Sequence, residues 1–404
     1  MFSFAHRAGR GATALTMAVL LAACHEPVAV ADPHTASTGA AEVARAASAT
    51  VAWNQVARDL VVKHRTSVPA SIRMFALLSV AQYNGIVAAE NGTAGPTVAS
   101  ERGATAGAAA AVLSYVYPAE AQFLEGLVDE QAASAAAAPG ALAGGFAAGE
   151  AIGRVAAAGV IARAETDRFY EPFTGTVPVC PGCWLPVPTA PAFATLGRAK
   201  TFFLASGDQF RPPPPPAFES STFAAALAEV RQIADDRTAE QDSIAKFWAL
   251  PPGTVGAQGY FNQVGSELAV KYHRTERETA HALALLNMAA FDAIVASHEA
   301  KYFYWLIRPS QADPLIERAI GLPSFPAYPS NHSTLAATAA TVLGALFPGE
   351  RARLDVMAGE GAISRLYGGI HYRFDTEAGL ALGRKVGAFV LAHDVVGHQP
   401  FVLP

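Results

Sequence analysis

The chain has 404 residues, of which 51% are hydrophobic and 16% charged, and its formal net charge is -5. This length suits one large domain or two ordinary ones. A chain with net negative charge offers no basic field for nucleic acid, so nucleic-acid binding is excluded as its main function. Much of the apolar excess is alanine, which favours closely packed helices.

The chain begins with features of a bacterial export signal. Arg7 and Arg10 precede an apolar run over residues 12–23, which is too short to span a bilayer. Residues 21–24 read Leu-Ala-Ala-Cys and resemble a lipobox, whose cysteine carries lipid after cleavage. The alternative is an ordinary signal peptide that is cut nearby.

We predict that residues 1–23 are a signal peptide of the lipoprotein type and that residues 24–50 are a flexible tether. Cys24 would then be the mature N-terminus, and its lipid would be the protein's attachment to a membrane. The mature protein is expected in the periplasm or the cell envelope.

Residues 51–165 predict helices. Trp53, Val56 and Leu60 recur at helical spacing, and segments rich in alanine and glycine follow at about 99–117, 119–137 and 145–166. No strand pattern of any length appears. No stretch after the signal reaches the ~18–20 strongly apolar residues of a membrane-spanning helix.

Residues 171–216 are rich in proline, which disfavours both helix interior and sheet. A disordered linker is the alternative, but large aromatic residues such as Trp184 and Phe203 favour burial. We therefore predict a long irregular segment that wraps over the helices.

Cys180 and Cys183 form a CxxC pair inside this segment. A zinc knuckle needs four ligands, and the chain has no second pair. A thioredoxin-like motif needs a strand and a helix around it. In an oxidising compartment a structural disulfide is the simplest reading, and we predict one with little direct role in catalysis.

Helices are predicted again at about 220–236, 238–249 and 275–299. Asp292 lies in a mostly apolar part of the last one. A buried carboxylate is costly unless it is paired or hydrogen-bonded. Asp292 is therefore either partly exposed or paired with an active-site arginine, and the sequence leaves both alternatives open.

The first of three short islands that carry chemistry is KYFYWLIRP, residues 301–309. Lys301 and Arg308 are seven residues apart, so they face nearly the same way where the segment is helical. Pro309 is expected to end such a helix at Arg308. Taken alone, this island is explained more simply by two solvent-exposed cations beside apolar residues that pack in the core.

The second island is YPSNHST, residues 328–334, which precedes a clear helical run. Ser330 is expected at the N-cap of that helix. The free N–H groups and the positive dipole end of a helix bind anions. His332 would lie in the first turn, at the same mouth.

The third island is SRLYGGIHYRFD, residues 364–375. Arg365 lies near the end of one helix, which the two following glycines are expected to break. Asp375 follows His371 by four residues, so its carboxylate reaches the imidazole if a helix starts there. Such a partner fixes the tautomer of a histidine and raises its basicity.

The spacings K-x6-R-P, P-S-x-H and S-R-x5-H-x3-D together resemble the signature of the type 2 phosphatidic acid phosphatase (PAP2) superfamily, which includes the vanadium-dependent haloperoxidases. Several stretches are similar to the soluble bacterial haloperoxidase-like branch, namely CWLP, SGDQFRPPPPP, EQDSIAKFWA, ALLNMAAFDA and YGGIHYRFD. The resemblance covers about residues 175–387. It implies an all-α fold of helical bundles, with the Pro-rich irregular wrap.

The resemblance also implies a role for each island residue. Lys301, Arg308 and Arg365 would neutralise the equatorial oxygens of a bound vanadate or phosphate, and Ser330 with the amide of Asn331 would add hydrogen bonds. His371 would be the axial residue, bonded to vanadium or attacking phosphorus, with Asp375 behind it. His332 would be the acid/base. Asn331 departs from the family pattern, which commonly has glycine there, so a side chain stands near the oxyanion.

These implications complete the prediction. Residues 51–250 form a helical scaffold, and residues 251–404 form the catalytic bundle. The function is a secreted, vanadate-containing haloperoxidase-like enzyme that acts on hydrogen peroxide, a halide and a small organic acceptor. One alternative is an acid phosphatase that hydrolyses soluble phosphomonoesters through a phosphohistidine. The other is an inactive surface lipoprotein that binds an anion.

Overall fold

The computed structural model of the chain describes residues 48–92, 97–137, 143–186, 190–395 and 399–403. Within these residues the regular structure is helical, without strands, which confirms the all-α class. The predicted signal peptide, Cys24 and most of the predicted tether lie outside the described residues.

The helices are numbered in chain order. They are α1 Ala49–Lys63, α2 Val68–Asn91, α3 Val98–Val116, α4 Ala121–Ala137, α5 Ala143–Glu165, α6 Ser221–Asp235, α7 Ala239–Phe247, α8 Gly256–Lys271, α9 Glu276–Tyr304, α10 Pro309–Ala312, α11 Asn331–Leu346, α12 Arg351–Tyr367 and α13 Arg373–Ala392. Helix α1 begins two residues before the predicted start of the scaffold, because Ser48 caps it by accepting a hydrogen bond from the Val51 amide. Helix α8 was not predicted, since its three glycines interrupt the apolar pattern.

The long helix α9 is central to the fold. It packs against α2, α8, α11 and α13, and its residues from Thr279 to Ala296 are almost all buried. Because α2 belongs to the predicted scaffold and α11 and α13 to the predicted catalytic bundle, α9 joins the two regions. The boundary between residues 250 and 251 stays a prediction.

Glycine lets two helix pairs approach closely. A Cβ atom at Gly103 of α3 would lie 2.0 Å from the carbonyl oxygen of Phe146 on α5. In the same way, a Cβ at Gly383 of α13 would lie 2.2 Å from the carbonyl oxygen of Thr334 on α11. The second contact fixes α13 beside the start of α11, where two of the three islands meet.

The sequence analysis expected no stretch after the signal to be long and apolar enough to span a membrane, and by length and composition this was wrong. Three described helical segments are long and apolar enough to cross a membrane: Val68–Asn91, Gly144–Glu165 and Glu276–Tyr304. In the apolar 18-residue stretches of the first and third segments, 89% and 94% of the residues are buried inside the fold, so their apolar character serves the core. In the corresponding stretch of the second segment only 28% are buried.

The Pro-rich segment packs on the helices, as expected, and Asp292 of α9 holds part of it. The Asp292 carboxylate is fully buried and accepts hydrogen bonds from the amides of Phe202, Phe203 and Leu204 at 2.7–3.0 Å. Both sequence alternatives for Asp292 were therefore wrong, because backbone amides rather than water or an active-site arginine satisfy it. The pair Cys180 and Cys183 is disulfide-bonded.

His298 of α9 gives a prediction about acid stability. Its side chain is fully buried beside Phe325 and Tyr302, and burial, followed by the charge of Lys301, lowers its pKa from 6.5 to about 3. The folded protein therefore leaves His298 neutral where the unfolded chain protonates it. This histidine should cost ~1.4 kcal/mol of unfolding free energy per pH unit as the pH falls from 6.5 toward 3.

A His298→Phe variant should lose that part of the pH dependence. Urea unfolding at several pH values between 4 and 7 would measure the free energy of unfolding of both proteins. The difference between variant and wild type should change with pH, in favour of the variant at low pH. Parallel curves would contradict the assignment.

Candidate active site

Lys301 lies in the last turn of α9 and is fully buried. Its ammonium group donates hydrogen bonds to the carbonyl oxygens of Pro326, Ala327 and Pro329 at 2.9, 2.8 and 2.5 Å. These bonds use all three N–H donors of a lysine. Lys301 thus holds the loop that leads into α11, and its predicted contact with an oxyanion stays a prediction.

Arg308 does not share a helix with Lys301, so that expectation was wrong. Helix α9 ends at Tyr304, because Trp305 adopts a left-handed conformation with φ of 52°. Arg308 is fully buried and donates to the carbonyl oxygens of Phe325 at 3.1 Å and Ile370 at 2.8 Å. Its Nη2 is buried and has no partner among the described residues.

Helix α11 begins where the second island predicts. Ser330 is its N-cap, and its hydroxyl accepts a hydrogen bond from the Ser333 amide at 3.4 Å. The backbone amide of Ser330 donates to the carbonyl oxygen of Asp375 at 2.9 Å, which ties this helix start to α13. The side-chain oxygen of Asn331 accepts a hydrogen bond from the Ser297 hydroxyl of α9 at 2.6 Å.

His332 occupies the first turn of α11. Its side chain is partly exposed, but its Nε2 is buried and has no hydrogen-bond partner among the described residues. Burial, followed by the positive charge of Arg365, lowers the pKa of His332 well below its usual value. The imidazole is therefore neutral near pH 7 and able to accept a proton.

Arg365 lies near the end of α12 and is almost fully buried. Its Nε donates to the Ser364 hydroxyl at 2.9 Å, and its Nη2 donates to the carbonyl oxygen of Ala245 at 3.3 Å. The helix ends at Tyr367, close to the predicted break, and Gly369 takes a positive φ of 71° that favours glycine. The chain then turns so that His371 faces inward.

His371 and Asp375 are in contact at the start of α13. Nδ1 of His371 is 2.9 Å from Oδ2 of Asp375, while its Nε2 is 3.0 Å from Nη1 of Arg308. An arginine can only donate, so Nε2 must present its lone pair and Nδ1 must carry the proton. The tautomer is therefore set from both sides, with the Nε2 lone pair directed toward the arginine.

Burial dominates the electrostatics of this site. It lowers the pKa values of Arg308 to about 10 and Arg365 to about 9, and both groups remain charged at neutral pH. Burial also lowers the pKa of His371, and the charges of Arg308 and Lys301 lower it further. At Asp375 burial raises the pKa to about 7, against the opposing charges of Lys301 and Arg308. None of the three cations forms a salt bridge with a carboxylate in the described part of the chain. Such a group of cations favours a multiply charged anion.

The residues fit a tetrahedral oxyanion such as vanadate or phosphate. Among the residues that the structure describes, Nη2 of Arg308 is a buried donor without a partner and Nε2 of His332 is also unpartnered. The lone pair on Nε2 of His371 accepts the hydrogen bond of Arg308 Nη1, so an oxyanion bound through this nitrogen would take the place of that bond. Charged donors hold oxyanions through short, strong hydrogen bonds. The structure thus brings the three islands together, while the roles of their residues stay predictions.

Sequence reasoning missed several groups that shape this site. The carbonyl oxygens from Phe325 to Pro329 hold the side chains of Lys301 and Arg308, and a backbone group carries no signal in its residue type. Ser297 precedes Lys301 by four residues, so it shares a helix face with it. This four-residue spacing is the sequence signal that could have identified Ser297.

Residues 281–394 match the model of the PAP2 superfamily, which confirms the predicted resemblance for this region. The matched region contains all three islands. No curated protein is similar enough to match the chain.

Solved structures with the same fold span most of the chain. A bacterial vanadium-dependent iodoperoxidase superposes with a TM-score of 0.71 at 24% identity, and the match covers 84% of this chain and 94% of that one. The holo form of a bacterial vanadium-dependent chloroperoxidase gives a TM-score of 0.64 at 16% identity, covering 81% of this chain and 92% of that one. These likenesses establish a haloperoxidase-like helical fold.

Proposed function

Because residues 281–394 match the model of the PAP2 superfamily, we propose that this protein is an exported vanadium-dependent haloperoxidase-like enzyme. The proposed substrates are hydrogen peroxide, a halide and a small organic acceptor. The observation that carries the proposal is the fixed tautomer of His371, whose Nε2 lone pair lies 3.0 Å from a buried arginine. A neutral imidazole with its lone pair held among cations is suited to bind the metal of an anionic cofactor.

In this proposal, His371 would hold vanadate through Nε2, and Arg308 and Arg365 would neutralise the charge on its oxygens. Vanadate, when bound, activates hydrogen peroxide for oxidation of the halide without a change in the oxidation state of vanadium. The Asp375 carboxylate keeps the proton of His371 on Nδ1. Lys301 holds the loop before Ser330, and its charge adds to the field of the site.

His332 is the proposed acid/base. Its Nε2 has no hydrogen-bond partner in the part of the chain that the structure describes, and its lowered pKa keeps the nitrogen free of a proton near neutral pH. It can therefore accept a proton from a peroxide at the site and later return it. General acid–base catalysis of this kind typically contributes ~10²–10⁴-fold in rate.

The second candidate is an acid phosphatase, which the superfamily match favours without reference to vanadium. The same lone pair of His371 would attack phosphorus and form a phosphohistidine, and the arginines would stabilise the charge on the equatorial oxygens. His332 would protonate the leaving oxygen. One arrangement of side chains therefore supports both chemistries.

Activity assays separate these functions. Wild-type protein would be assayed with peroxide and iodide or bromide, with and without orthovanadate, beside hydrolysis of a chromogenic phosphate ester. Halogenation that depends on vanadate is the expected result. Fast ester hydrolysis that vanadate inhibits, without halogenation at any halide, would favour the phosphatase. If the protein shows neither activity, the inactive anion-binding lipoprotein is the remaining candidate.

We also propose that the protein is exported and anchored through lipid on Cys24, because this residue follows the apolar run of the signal. Mass spectrometry of the mature N-terminus, purified from a bacterial membrane fraction, should find a lipid-modified Cys24. A Cys24→Ser variant is the matched control and should lose the modification. An unmodified N-terminus downstream of residue 24 would contradict the anchor.

A further inference from the structure

A short disulfide turn lies against the segment that carries Arg308. Cys183 pairs with Leu306 in an isolated antiparallel bridge. The carbonyl oxygen of Gly182 accepts a hydrogen bond from the Ile307 amide at 2.9 Å, and the Trp184 amide donates to the carbonyl oxygen of Trp305 at 2.7 Å. The turn thus bonds the backbone on both sides of Leu306, directly before the buried arginine.

Gln311 extends this contact to Arg308 itself. Its side-chain Nε2 donates to the carbonyl oxygen of Leu185 at 2.5 Å, and its Oε1 accepts from the Arg308 amide at 3.2 Å. The stretch 182–185 therefore holds the arginine's backbone from two directions. The guanidinium depends on this hold, because its Nη1 must meet both Ile370 and His371.

The two cysteines differ in accessibility. Cys180 is exposed, whereas Cys183 is only 7% exposed and faces Leu306. A small thiol reagent can therefore reach the disulfide from the surface, while Arg308 stays fully buried. The disulfide closes a very short loop, whose backbone gains freedom once the bond is broken.

We propose that the Cys180–Cys183 turn is a positioning element for Arg308, and that its reduction by a dithiol weakens the oxyanion site. This inference rests on the site assigned under the proposed function. In the reaction, one thiolate of the dithiol attacks a cysteine sulfur and breaks the S–S bond. The second thiolate then closes the oxidised dithiol, and the two protons end on Cys180 and Cys183. Excess oxidised dithiol, added after the reduced form is removed, accepts the two electrons and reverses the exchange.

Inorganic phosphate is the suitable probe, because dithiols reduce vanadate but leave phosphate unchanged. Calorimetric titration would compare oxidised, dithiol-reduced and re-oxidised protein, with a thiol count to verify each state. Reduction should weaken phosphate affinity about five-fold or more, as expected from partial loss of a hydrogen bond to a charged group. Re-oxidation should restore the affinity.

A double-mutant cycle tests whether the turn acts through Arg308. In an Arg308→Lys background, which keeps a charge but lacks the planar fork, reduction should change phosphate affinity less than two-fold. A Cys180→Ser, Cys183→Ser double variant should resemble the reduced wild type and ignore dithiol. If that double variant does not fold, the reduced wild type replaces it in the comparison. Circular dichroism should show that the reduced wild type stays folded.

Three outcomes would overturn the proposal. Equal phosphate affinity before and after verified reduction would show that the turn does not position the arginine. An equal loss on reduction in wild type and in Arg308→Lys would show general loosening of the fold. If oxidised wild type binds neither phosphate nor vanadate, the proposed function fails together with this inference. In the first two outcomes the oxidised protein still binds phosphate, so only the inference about the disulfide fails.

Discussion

Replacing His371 by alanine should abolish retention of vanadate and all halide oxidation. The Nε2 lone pair of His371 accepts a hydrogen bond from Arg308, and Asp375 holds the imidazole in that tautomer. Even loss of a group behind a metal ligand typically costs ~10–100-fold in affinity, so loss of the ligand itself should exceed that range. Vanadium content after desalting and activity with peroxide and iodide would measure the two effects.

The matched variant is His332→Ala, in the first turn of α11. Nε2 of His332 has no partner among the residues that the structure describes, and we assign His332 to proton transfer. Its loss should therefore leave vanadate binding within a few-fold of wild type. Turnover should fall ~10²–10⁴-fold. The account would be contradicted if His371→Ala retained vanadate, or if the two variants lost binding equally.

Replacing Arg308 or Arg365 by alanine should weaken binding of vanadate or phosphate at least ~10-fold, since a hydrogen bond to a charged group contributes about 1.5–3 kcal/mol. Arg308 should give the larger effect, because its Nη2 is buried with no partner in the described ranges and its Nη1 contacts His371. Lysine should be a poor substitute at either position, because it lacks the planar fork of donors.

Arg373→Ala is the control for these variants. Arg373 lies two residues from His371, but it is half exposed and pairs with Glu229. Its loss should change oxyanion affinity less than two-fold, because solvent and salt screen exposed charges. Calorimetric titration with orthovanadate and phosphate would compare the variants. Unaltered binding by Arg365→Ala would show that this arginine is outside the site.

Local rules of helix capping account for the parts of the site that the sequence anticipates. A proline, a serine and a histidine before an apolar run predicted the N-cap at Ser330, and the structure has it there. The four-residue spacing of His371 and Asp375 predicted their contact, which the start of α13 allows. These features depend on residues close together in the chain.

Features set by tertiary contact could not be read in the same way. Helix α9 ends at Tyr304 rather than at Arg308. The next residue, Trp305, accepts a hydrogen bond at its carbonyl oxygen from the amide of Trp184, more than a hundred residues away. Asp292 accepts hydrogen bonds from backbone amides of the Pro-rich segment, and no residue pattern predicts such bonds. The three donors of Lys301 likewise meet carbonyl oxygens of a loop.

The measurement that tests the central claim most directly is the vanadium content of purified protein after incubation with orthovanadate and removal of free vanadate. Wild type and His371→Ala would be compared side by side, with phosphate as competitor. The account predicts about one vanadium per wild-type chain, displaced by excess phosphate, and almost none in the variant. Wild-type protein that retains no vanadium, or equal retention by both proteins, would contradict it.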